Sequence, residues 1–302
     1  MRLTQLRDFL AIAEHRSLRA AARTLGVAQP SLTKSIQALE KELGAPLFER
    51  TSRGATLTPA GAAFKTRCET ILSDVRRAEE EVRQLTSGDG GQVAFAITTA
   101  PALLFLSRIL EDFQRRFPSV GVRIVTANFP TAVPHLRAGS LDFALLPQPE
   151  ASLGEEFVVE PLLKNARVPV CRKAHPLVNA KSLADLIDSR WLTTSIDPNP
   201  RSAFDGIFLQ HGLQPPRQVI TCEMTTALVE LLIHQDTICW LPRAWTETDL
   251  LSPYLTAIPI QEPPVQGQDI CLVQRRNLPL TPAAEHLADL IRRQCAYRNG
   301  QL

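Results

Sequence analysis

Residues 17–44, SLRAAARTLGVAQPSLTKSIQALEKELG, hold the pattern on which the reading of this chain turns. Ser17 is an N-cap type ahead of the run Leu18–Leu25, and the small Ala20, Ala21 and Ala22 let another helix approach closely. Gly26 stands where that helix must end, since a residue without Cβ takes the left-handed conformation freely. After the turn Gly26-Val27-Ala28 a helix restarts at Gln29-Pro30-Ser31, with proline in the first turn, where its missing N–H costs nothing. Leu32, Ile36, Leu39 and Leu43 then recur at i, i+4, i+7 and i+11 as one apolar stripe. The other face offers Ser31, Thr33, Lys34, Gln37 and Ala38. Hydroxyl, amide and basic groups of this kind meet base edges and phosphates in a major groove. The alternative is an ordinary amphipathic helix with a solvated face. The succession of helix, glycine turn and proline-started helix favours the first reading.

Working outward, Thr4–Glu14 places Leu6, Phe9, Leu10 and Ala13 at helical spacing, so a third short helix comes first. The longer segment SLRAAARTLGVAQPSLTKSIQALEKELGAPLFERTSRGATLTPAG, residues 17–61, resembles the LysR-type DNA-binding domain along its whole length. The likeness rests on the alanine-rich helix, Gln29-Pro30, Thr33-Lys34-x-Ile36, Leu39-Glu40, Leu43-Gly44, Pro46-Leu47-Phe48-x-Arg50 and Leu57-Thr58-x-x-Gly61. It implies that Gln29, Pro30, Ser31, Thr33, Lys34 and Gln37 form a groove-facing edge. It also implies that Arg50 and Arg53 lie in a wing against the DNA backbone, and that Thr58 begins the next helix near a phosphate.

Between Pro59 and Pro101 there is no proline, although the chain holds 23. Within that gap Phe64, Cys68, Ile71, Val75, Ala78, Val82 and Leu85 alternate by four and three residues, an a/d repeat. Lys65, Arg67, Glu69, Asp74, Arg76, Arg77, Glu79, Glu80, Glu81 and Arg83 read as solvated flanks. About 26 residues at 1.5 Å each give a rod of roughly 40 Å. A rod with so narrow a seam needs a partner helix. A single core-packed helix is the alternative, and its apolar stripe would be wider. Pairing of two chains would present two copies of the reader to two half-sites. Ser87-Gly88-Asp89-Gly90-Gly91 reads as the hinge that ends the rod.

From Gln92 strand and helix alternate. Strands are expected near 93–98, 120–126, 141–146, 168–171, 191–194, 218–221, 237–241 and 270–274. Helices are expected near 102–117, 134–138, 183–187, 202–211, 226–234 and 282–295. Such alternation implies a parallel sheet with crossovers. The segment Leu136-Arg137-x-Gly139-x-Leu141-Asp142-Phe143-Ala144-Leu145 and the pair His175-Pro176 resemble the LysR-type effector domain. That resemblance implies two α/β lobes like those of periplasmic binding proteins, crossed near Glu160–Leu163 and Val265–Gln268.

The fold expected is thus α+β and multidomain. An all-α winged helix-turn-helix spans 1–58, a long linker helix 59–87, and an α/β two-lobed effector domain 88–302. Lobe I takes about 91–162 and 266–302, and lobe II about 163–265.

Ligands of open α/β sheets sit at strand carboxyl ends beside helix N-termini. Here those places are Thr98-Thr99-Ala100, Ala127-Asn128-Phe129, Thr193-Thr194-Ser195 and Cys222-Glu223-Met224-Thr225. A small organic acid, such as an aromatic carboxylate or sulfonate, is expected on Thr98, Thr99 and Thr194, with Phe129 or Phe204 against its apolar part. The alternative is that these threonines only cap helices.

Composition narrows the classes. Net charge is only +2, yet Arg2–Arg83 carries 14 Lys and Arg against 10 Asp and Glu, the asymmetry of a chain whose front end meets phosphate. No secretory h-region and no apolar run of membrane length is read, so a cytoplasmic protein without membrane association is expected. The six cysteines show no CxxC pair and no zinc spacing, and no metal or cofactor is expected. No GxSxG, Walker loop, HExxH or GxGxxG is present, and the histidines do not group, so an enzyme is not expected. Some family members switch through a cysteine pair. That alternative would fall on Cys222 and Cys239, which lack the close spacing. The resemblance further implies promoter DNA and RNA polymerase as partners, an activator role, and a homodimer assembling to a tetramer.

Overall fold

Phe9 lies at the centre of the core of the first unit. It is fully buried on α1 (Leu3–His15), between the rings of Phe48 at 5.2 Å and Phe64 at 5.1 Å. Around it close α2 (Leu18–Leu25), α3 (Gln29–Leu43) and the antiparallel hairpin of β1 (Phe48–Thr51) and β2 (Gly54–Leu57). The computed structural model describes residues 1–51, 54–86, 90–149, 152–194 and 200–299. The Ser17 hydroxyl caps α2 by accepting the Ala20 N–H, and Gly26 ends that helix at φ 67°. Leu32, Ile36 and Leu39 enter the core. Leu43, expected on the same stripe, is 41 % exposed because α3 has by then run past the core.

The rod is α4 (Pro59–Thr86). Its first turns belong to the reader: Phe64 and Cys68 complete the Phe9 core, so they are taken up within the chain and not held free for a partner. Beyond them the helix has two faces. Ile71, Ala78, Val82 and Leu85 are exposed, Val82 by 60 % and Leu85 by 70 %. Ser73, Arg77, Glu80 and Gln84 recur by four and three residues on roughly the opposite side of the helix and are buried. The expectation of solvated flanks fails for Arg77 and Glu80.

What covers that polar row is the chain's own first lobe. Its sheet runs in the order β4 (Gly121–Val125), β3 (Gln92–Ile97), β5 (Phe143–Pro147), β13 (Ile270–Arg275), β6 (Phe157–Leu163). Val93, Phe95 and Ile97 of β3 face a layer made by α5 (Thr99–Arg116) and α9 (Pro282–Arg298). The small Ala94 and Ala96 face α6 (Phe129–Arg137). The turn after α6 receives the rod. The Gly139 carbonyl accepts the Ser73 hydroxyl at 2.7 Å, and the Arg77 guanidinium donates to the Leu141 carbonyl at 3.1 Å and pairs with the Asp142 carboxylate at 2.8 Å. Gly139 has φ 71°, and a Cβ there would stand 2.7 Å from the Ser73 hydroxyl, so the motif around it requires glycine twice over. Farther along, the Gln84 side chain accepts the Ala283 N–H at the start of α9.

The second lobe's sheet has the order β11 (Leu255–Ala257), β7 (Ala166–Arg172), β10 (Thr237–Pro242), β8 (Arg190–Thr193), β9 (Val219–Thr221), and β12 (Val265–Gln266) also pairs with β7. Between its strands lie α7 (Pro200–Leu209) and α8 (Thr225–His234), with short 3-10 turns at Leu183–Leu186 and Arg243–Glu247. Both sheets are mixed. Only β4-β3-β5 and β9-β8-β10 are parallel, while β13 and β7 run against their neighbours because the chain enters and leaves each lobe there. The chain passes between lobes after Leu163 and returns after Gln266; Glu160–Leu163 lie inside β6 of the first lobe and not in the passage. Of the expected hinge, 87–89 lie outside the described residues. Gly90 and Gly91 have φ of 80° and 92°. The rod does not hang from them alone, being fastened along Ser73–Gln84.

Candidate functional site

Two places collect the polar groups singled out above: the outer edge of α3 and the gap between the lobes. On α3, Gln29, Pro30, Ser31, Lys34 and Gln37 are exposed. Thr33 is half-buried and turns its hydroxyl back to the Gln29 carbonyl at 3.0 Å. The first turn of α3 holds no acidic residue, so its positive dipole end is left uncompensated by side-chain charge. Arg16, Arg19 and Arg23, which the sequence reading did not single out, are exposed around α2. Arg50 lies in β1 opposite Ala55, and Arg53 lies outside the described residues. Thr58 is corrected: it is buried, donates its hydroxyl to the Pro46 carbonyl at 2.8 Å and accepts the Gly61 N–H at 2.9 Å. Its side chain caps α4 from within, and no hydroxyl remains for a phosphate.

In the gap the threonines part company. Thr98 precedes α5 but makes no side-chain cap, and its hydroxyl oxygen is buried without a partner. Thr99 meets Thr225 hydroxyl to hydroxyl at 3.3 Å, joining the start of α5 to the start of α8 across the lobes. Ala100 packs against the second lobe's core. Asn128 is engaged locally, its amide oxygen accepting the Thr131 N–H at 3.1 Å in a reciprocal cap of α6. Phe129 is half-buried against the first lobe. Thr193 and Thr194 are half-buried at the end of β8, and Ser195 lies outside the described residues. Phe204 is corrected from pocket wall to core: it is 4 % exposed and meets the Trp191 ring edge-on at 5.5 Å. Cavities of about 330 and 540 Å³ open on the first lobe, and neither is lined by Thr98, Thr99, Thr194 or Thr225.

One residue at the gap went unnoticed in the sequence. Arg167 follows the first passage between lobes, opposite Pro242 of β10 and Val265 of β12. Its Nε is buried without a hydrogen-bond partner, and burial pushes its guanidinium below the ordinary arginine range. A lone arginine among Asn165, Ala166 and Val168 gives no periodic signal that would mark it.

Burial pushes the thiols up, Cys68 and Cys271 to about 11 and Cys171, Cys239 and Cys295 to about 12, which disfavours the reactive thiolate. Cys222 follows β9 and Cys239 sits in β10, with β8 between them. Two strand spacings are about 9.5 Å, beyond the ~7 Å that a disulfide spans. Among the described residues no group of three or more His, Cys, Asp or Glu is placed to hold a metal ion, and no helix is long and apolar enough to cross a membrane.

Residues 3–62 match the bacterial regulatory helix-turn-helix proteins of the lysR family, and residues 86–296 match the LysR substrate binding domain. The HTH-type transcriptional regulator GbpR of Azospirillum brasilense is 28 % identical over 265 residues, which are 87 % of this chain and 78 % of that protein. The HTH-type transcriptional regulator BudR of Raoultella terrigena is 37 % identical over 194 residues, 63 % of this chain and 66 % of that one. The crystal structure of full-length CbnR complexed with its target DNA shares the fold, with a TM-score of 0.68 at 23 % identity over 97 % of this chain and 100 % of that chain.

Proposed function

Since the chain belongs to the LysR family of DNA-binding transcriptional regulators, we propose that it reads promoter DNA with α3 and is switched by a small organic anion held between its lobes. The observation that carries the DNA reading is the exposed row Gln29, Ser31, Lys34 and Gln37 on a helix whose first turn lacks any carboxylate. Amides and hydroxyls on that row address base edges, and Lys34 addresses phosphate. A homodimer forms along Ile71–Leu85 and assembles to a tetramer in the cytoplasm. An aromatic carboxylate or sulfonate bound at Thr98, Thr99 and Thr194 biases the angle between the lobes. The readers shift, DNA bending changes, and RNA polymerase is recruited. The protein acts by binding and not by turnover.

Fluorescence anisotropy with the promoter fragment beside its own gene and a random duplex tests the reading. Gln37→Ala should cost about tenfold or more in preference for the promoter. Lys34→Ala should weaken both duplexes alike and lower the salt slope by about 1. Equal affinity of the unaltered protein for both duplexes overturns it.

A further inference from the structure

The buried Arg77 and the quarter-exposed Arg292 are each matched by carboxylates. Arg77 has Asp142 at 2.8 Å, and Arg292 has Glu160, Glu285 and Asp289 at 2.8–3.0 Å. Half-buried Arg167 differs: among the described residues no carboxylate lies within 4.0 Å of its guanidinium, and its buried Nε, like that of Arg77, has no acceptor. A half-buried guanidinium without a counter-charge is unfavourable, and a small anion from outside would complete it.

Its position says from where. Arg167 sits at the end of the second lobe's sheet that faces the first lobe, two residues past Asn165 and opposite Pro242 and Val265. Gly267, in the segment between β12 and β13 that returns to the first lobe, leaves room for it: a Cβ there would lie 3.1 Å from Arg167 Nε and 2.6 Å from the Asn165 carbonyl. Across the gap, at the carboxyl end of β3, the Thr98 hydroxyl is buried and caps nothing. Each lobe therefore brings one unsatisfied polar group to the gap, a cation on one side and a hydroxyl on the other. A carboxylate fits this pair in kind, since its two oxygens match the planar fork of an arginine and can accept a hydroxyl as well.

We propose that Arg167 is the charge-recognising residue of the interlobe site, so that the effector class is a small carboxylate bridging Arg167 of the second lobe and Thr98 of the first. The inference rests on the reading of the gap as the effector site, and it assigns the recognition of charge to Arg167 where the threonines alone offer only hydroxyls.

Thermal melting of the full chain tests it, with benzoate and succinate as probes and benzamide as the neutral counterpart of benzoate. Without any probe, Arg167→Met should melt higher than the unaltered protein by roughly 2–4 °C, because an unmatched cation is removed. A merely structural arginine would give a fall instead. Benzoate or succinate should raise the melting temperature of the unaltered protein and, less, of Arg167→Lys. Neither should move Arg167→Met, and benzamide should move none of them. A lower melting point for unliganded Arg167→Met, or no carboxylate response in the unaltered protein, overturns the proposal. A response lost in Thr98→Val but intact in Arg167→Met overturns the role of Arg167 and leaves the interlobe site standing. A response intact in both removes the site reading as well.

Discussion

His175 is buried beside Pro176, with Nδ1 accepting the Leu177 N–H at 3.0 Å and Nε2 without a partner. Burial pushes its imidazole below the ordinary 6.5, Asp236 opposing and Arg172 assisting. The unfolded chain therefore takes up a proton that the folded chain resists. The stability due to neutral His175 is complete above about pH 6.5 and is lost as the pH falls through that value. Melting curves from about pH 7.5 to about 5.5 should show a falling midpoint, and His175→Asn, whose amide oxygen still accepts the Leu177 N–H, should flatten that dependence. At this scale the sequence spoke unevenly. Ser17 and Gly26 were readable because a cap and a left-handed terminus are local demands. Thr58 and Thr98 look alike in the sequence, each a threonine ahead of a helix. One hydroxyl is taken by Pro46, twelve residues back, and the other by nothing, and only the path of the folded chain decides which. Phe204 was misplaced for the same reason: whether an aromatic beside a strand end faces ligand or core depends on Trp191 and Phe208.

The rod shows what a helix reveals and what it hides. Its apolar repeat was legible because periodicity is a property of the helix alone. Its polar row was not, because Ser73, Arg77, Glu80 and Gln84 are buried only by partners such as Gly139, Asp142 and Ala283, which lie far along the chain. The motif from Leu136 to Asp142 was visible as a pattern; its purpose, seating the rod, was not. The Arg77–Asp142 pair is buried on both sides, and Asp142 also accepts the Ala94 N–H at 2.7 Å. Arg77→Ala leaves that carboxylate uncompensated and should cost on the order of 3 kcal/mol in urea denaturation. Arg77→Met combined with Asp142→Leu should recover most of the loss, since an apolar pair of similar volume replaces both charges.

For the molecule as a whole, the α/β character followed from strand–helix alternation and the two-lobed plan from the family likeness, while the mixed sheets did not, because strand direction is set by where the chain enters and leaves a lobe. In the proposed dimer, the joining of two chains depends on the exposed side of the rod. Val82→Asp with Leu85→Asp places charge on that seam and should yield a monomer in sedimentation velocity, with circular dichroism unchanged and promoter affinity lost along with the second reader. The opposed faces of α4 carry one more consequence. If two rods meet along Ile71–Leu85, each one's sensing lobes are borne on its outward flank, back to back and out of each other's reach. Any contact between sensing lobes must then be made with a neighbouring rod pair, so the same helix that builds the dimer dictates how dimers would join.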